Sequence, residues 1–79
     1  MPYLVMYHRM YPEKGCLAAQ IMDAKNVAPL NRYLTNMTLG SGIQIVVVNH
    51  PEAYQEYAPY HFVSEQELIN EAFHFRKQA

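Results

Sequence analysis

Gly42-Ile43-Gln44-Ile45-Val46-Val47-Val48-Asn49 decides the fold. It is the only long β-branched apolar run in the chain. Successive strand residues point to opposite faces, so Ile43, Ile45, Val46, Val47 and Val48 cannot all be hidden by covering one side. Such a run predicts a central strand covered on both faces. Gly40 and Gly42 before it, and Asn49-His50-Pro51 after it, mark its ends. Gly40-Ser41-Gly42 precedes a strand, whereas phosphate-cradling loops follow one and open a helix, so it reads as a turn.

Upstream, Val27, Leu30, Leu34 and Met37 recur at the spacing of one helical face and predict a helix over Asn26 to Met37. Asn26 suits its cap, and Pro29 then falls in the first turn, or marks the true start. Cys16 to Met22 suits either a strand or a helix. The preceding Tyr11-Pro12-Glu13-Lys14-Gly15 favours the strand, because proline and glycine there match a hairpin turn with a glycine bulge. Tyr3 to Met10 supplies the other arm of that hairpin.

Downstream, Pro51 to Tyr57 suits one or two helical turns, ended by Ala58-Pro59. Tyr60-His61-Phe62-Val63 reads as a short edge strand. Ser64-Glu65-Gln66-Glu67 is a capping box, Val63 and Leu68 fit a hydrophobic staple, and Leu68, Ile69, Ala72, Phe73 and Phe75 form an apolar stripe. The expected fold is α+β in the order β-β-α-β-β-α. Two helices would pack on one face of a small, four-stranded, mainly antiparallel sheet. The other face would carry Tyr, Met and Val side chains and need a cover, which predicts a homodimer.

A chain of 79 residues supports one domain, spanning residues 1–79. Its single cysteine, Cys16, excludes an internal disulfide. No apolar run is long enough to span a bilayer, and no signal peptide is visible, so a cytoplasmic location away from membranes is expected. The net charge is −1. Up to Asn49, Arg9, Lys14, Lys25 and Arg32 outweigh Glu13 and Asp23; from His50 on, Glu52, Glu56, Glu65, Glu67 and Glu71 outweigh Arg76 and Lys77. Without a basic stripe, nucleic acid is not the expected partner.

Chemistry-bearing residues are few. His8, His50, His61 and His74 stand at no metal-ligand spacing, and neither a metal nor a cofactor is expected. Glu71-x-x-His74 reads as a solvated helix pair. His50-Pro51-Glu52 is open to two readings, an acid/base or metal corner and a histidine capping a short helix. Cys16 lacks a neighbouring cation or helix start to activate it and reads as a half-buried structural thiol. Met1-Pro2 leading into a strand resembles the start of the small tautomerases, in which an N-terminal proline acts as general base. The resemblance covers Met1 to about Tyr7. It implies Pro2 as base and Arg9 or Arg32 as the substrate-binding cation. It ends at the Pro-Glu-Lys-Gly turn, where those proteins have a long amphipathic helix.

Tyr54, Tyr57 and Tyr60, with Glu56 between them, are the favoured interface. Tyrosine supplies large amphipathic contact area and is enriched at binding hot spots. The competing reading has Tyr54 and Tyr60 close the core. The leading functional expectation is a protein-binding module, such as an accessory factor, a regulator or a phage-type inhibitor, meeting a basic patch on its partner. The alternative is a small dimeric enzyme using Pro2, His8 or His50 as general base.

Overall fold

The computed structural model describes residues 2–21, 24–49 and 59–76. Strands β1 (Tyr3–His8), β2 (Ala18–Ile21) and β3 (Ile43–Val48) form one antiparallel sheet in the order β2-β1-β3. Helix α1 (Ala24–Met37) connects β2 to β3, and helix α2 (Glu65–Phe75) follows. The α+β class, the two helices and the small antiparallel sheet agree with the sequence. Three details do not.

First, among the described residues the sheet has three strands, not four. Tyr60–Val63 touches it through one parallel bridge, Ala19 to Phe62. The Ala19 amide donates to the His61 carbonyl and the Val63 amide donates to the Ala19 carbonyl, each at 2.8 Å. The segment ends there because Ser64 already caps α2.

Second, the central strand is β1. It pairs with β2 on one side and β3 on the other. Leu4, Val5, Met6 and Tyr7 are all buried. Among the described residues β3 pairs with β1 alone, and its Val46 and Val47 are only half-buried. A β-branched run reports that both faces have neighbours. It carries no information on whether both edges are paired.

Third, α1 contains Pro29 in its interior, past the first turn, so neither Asn26 nor Pro29 marks the start. The missing proline N–H leaves the Lys25 carbonyl without its i+4 donor. Buried Val27 and Leu34, with half-buried Leu30 and Met37, hold the helix to the core regardless. At its end the buried Thr38 hydroxyl donates to the Leu34 carbonyl at 2.9 Å, and Ser41 then bonds back to the Thr38 carbonyl.

The hairpin joining β1 to β2 is longer than a tight bulge. Pro12–Lys14 forms a single 3-10 turn, and Gly15 follows at φ 89°, in the left-handed region that glycine enters without a Cβ penalty.

The core is divided by the sheet. Leu4, Met6, Ala18, Ile43 and Ile45 meet Val27, Leu34, Leu68 and Ala72 from the helices. On the opposite face Val5, Tyr7, Ala19 and Val48 are buried with help from Tyr3, Cys16, Val46 and Tyr60. The second face is therefore covered within one chain, and the homodimer loses its original motive.

Candidate functional site

Among the described residues, the candidate bases Pro2 and His8 do not converge. Pro2 precedes β1 and His8 ends it, so a six-residue strand, about 20 Å long, separates them. His8 is exposed, with its ring edge-on to Phe75 at 5.8 Å. The Arg9 guanidinium donates to the Gln44 side chain at 3.2 Å, at the end of β1 remote from Pro2. Arg32 is exposed on α1. His50, Tyr54, Glu56 and Tyr57 lie outside the described residues, as does the expected Pro51–Tyr57 helix. Tyr60 is half-buried, and its ring meets Tyr3 edge-on at 5.1 Å and tilts against Phe62 at 5.9 Å. Tyr60 packs against the buried residues of the second sheet face.

Cys16 is a strut. Its thiol accepts from the His61 amide at 3.1 Å and donates to the Pro59 carbonyl at 3.3 Å. Burial pushes its pKa up, only partly offset by the backbone amides of His61 and of Cys16 itself. A thiol that resists ionisation is a poor nucleophile.

The polar site lies elsewhere. The bridge at Phe62 leaves His61 and Val63 on the flank of β2, facing α2. Between them opens a cleft of about 300 Å³ with Leu17, Ala18 and Val63 as apolar floor and His61, Glu67, Asn70 and Glu71 as polar wall. Glu67 and Glu71 are one helical turn apart, so both carboxylates line the same side of α2. Glu67 is positioned twice. Its amide bonds the Ser64 hydroxyl at 3.2 Å, and its carboxylate accepts from that hydroxyl at 3.1 Å. Gln66 donates to the Asn70 carbonyl oxygen at 3.0 Å, which leaves the Asn70 amide group as a donor at the cleft. Among the described residues no three His, Cys, Asp or Glu side chains are gathered as a metal site. Two acceptors over an apolar floor suit a cationic side chain with an aliphatic stem.

Every cleft residue falls within residues 1–74, the span matched by a family described only as a family of unknown function, DUF6718. The chain belongs to DUF6718. The match takes in all three strands and α1 and ends inside the last turn of α2, so the cleft is part of the DUF6718 domain. No curated protein matches the chain.

The sequence held one signal for this cleft. Glu67 and Glu71 stand four apart on a helix whose other face is apolar. His61 and Leu17 were out of reach, because only the Ala19–Phe62 bridge sets them opposite α2.

Proposed function

We propose that this DUF6718 protein is a small protein-binding module, and that the cleft beside α2 receives a lysine or arginine from a basic patch on its partner. The reading rests on one observation: Glu67 and Glu71 line an apolar-floored cleft of about 300 Å³ with His61 and Asn70. It keeps the acidic surface expected of the C-terminal part and moves it from the tyrosine segment to α2.

The test compares wild type with Glu67→Gln/Glu71→Gln as bait. Glutamine still serves at the third position of a capping box, so the helix is retained. Proteins captured by the wild type should be lost from the double variant, and a lysine-rich peptide should bind at least tenfold more weakly to it. Equal capture and equal peptide affinity would overturn the reading.

The enzyme alternative keeps one supporting observation, an imidazole in a cleft with two carboxylates, a grouping suited to proton transfer. It is separated by His61→Gln, which should abolish turnover under the enzymatic reading but, under the binding one, only weaken partner affinity, and by less than Glu67→Gln/Glu71→Gln does.

A further inference from the structure

On the other side of α2, away from the acidic cleft, runs a groove between the two helices. Asn26, Pro29, Leu30, Tyr33, Glu65 and Ile69 line one part, of about 570 Å³. Tyr33, Asn36, Met37 and Arg76 line the next, of about 300 Å³. Tyr33 is common to both and stands at the middle, half exposed at 50%. Because Asn26 shares one part of the groove with Glu65 and Met37 shares the other with Arg76, the helices run parallel, with both N-termini at one end.

Along the groove edge α2 presents Glu65, Ile69, Phe73 and Arg76, a stripe with an acid at one end, a base at the other and apolar groups between. Phe73 is 48% exposed and lies under the Arg76 guanidinium at 5.3 Å. Glu65 and Arg76 are about 16 Å apart along the helix, too far to pair with each other. Turned by a two-fold axis, however, the stripe complements itself. Glu65 of one copy then faces Arg76 of the next, twice, and the helix dipoles oppose.

We infer that the occupant of this groove is a second copy of the chain, docked antiparallel about an axis near Tyr33, with Ile69 and Phe73 buried and two Glu65–Arg76 pairs at the rim. The acidic clefts stay open on the far sides of the dimer, so the inference does not rest on their proposed role.

Sedimentation equilibrium of the full chain at micromolar concentration should give twice the monomer mass. Glu65→Arg sets like charges face to face, and so does Arg76→Glu. Each alone should weaken association about tenfold or more, with the far-ultraviolet circular dichroism of the folded chain unchanged. The double variant Glu65→Arg/Arg76→Glu should restore it. Mixing the two single variants should give a heterodimer, because both rim pairs are then attractive. A wild-type monomer at about 100 μM, a dimer indifferent to the single changes, or single variants that fail to associate when mixed would each overturn the inference.

Discussion

Cys16 joins two backbone groups 43 and 45 residues further along the chain. Those bonds fasten the stretch before α2 to the start of β2. Cys16→Ala removes both and leaves the His61 amide short of a partner, a loss of about 1 kcal/mol readable in urea unfolding. The raised thiol pKa adds a pH signature. A cysteine whose pKa is higher folded than unfolded stabilises the fold while it is protonated. That contribution is complete below the unfolded value, near about 8.5, and is lost as pH climbs through the folded one. The midpoint of wild type should therefore fall more steeply above pH 8.5 than that of Cys16→Ala, and native Cys16 should react with an aromatic disulfide reagent more slowly than the unfolded chain. Gly42 illustrates a different constraint. A Cβ there would meet nothing within 4 Å, yet φ is +82°. Space is free and conformation is not, so Gly42→Ala should cost about 1 kcal/mol through backbone strain alone.

Among the elements, β1 and β3 separate what sequence can and cannot convey. Ile43 to Val48 was legible as a strand, because β-branched side chains fit a pleated surface and little else. Its place at the edge of the described sheet was not, because pairing is decided by where β1 arrives. Val46→Asp, lethal if β3 were central, now has a half-buried site from which a carboxylate can reach water, whereas Val5 is wholly buried on β1. Val5→Asp should unfold the protein, since an unpaired buried carboxylate costs several kcal/mol against a total of about 5 to 10. Val46→Asp should melt lower than wild type but cooperatively; equal loss in both would restore β3 to the centre. Helix α2 was the most legible element, since its start is written in local chemistry. Ser64 accepts the Glu67 amide as the capping box requires. Ser64→Ala should cost about 1 kcal/mol in chemical denaturation. Helix α1 was harder, because proline rules describe isolated turns. Tertiary packing of Val27 and Leu34 outweighs the one lost bond at Pro29.

At the scale of the whole molecule, apolar and charged groups are assigned to different tasks. Thr38 is the buried polar side chain among the described residues, and a hydrogen bond rather than a charge satisfies it. The core on both sides of the sheet is aliphatic and aromatic. On α2, charge falls at the cleft and at the groove ends, through Glu67 and Glu71 in one and Glu65 and Arg76 in the other. In the sequence these residues are interleaved along one helix, and only the packing of α1 and β2 against α2 sorts them into two surfaces. That is why the acidity of the C-terminal part was legible while its site was not. The division predicts how salt acts. Raising sodium chloride from about 0.1 M to about 1 M shortens the screening length from about 10 Å to about 3 Å. A fold held by apolar burial should keep its thermal midpoint within a few degrees over that range. Binding of a lysine-rich peptide at the cleft should weaken at least tenfold over the same range, because its attraction is Coulombic and its groups are solvent-facing. The groove should respond between these limits, since its centre is apolar and only its rim is charged. Melting curves, peptide titrations and sedimentation measured across one salt series would check all three. A midpoint that dropped steeply with salt would mean that ion pairs hold this fold together, and a peptide affinity flat with salt would mean that the cleft does not read charge.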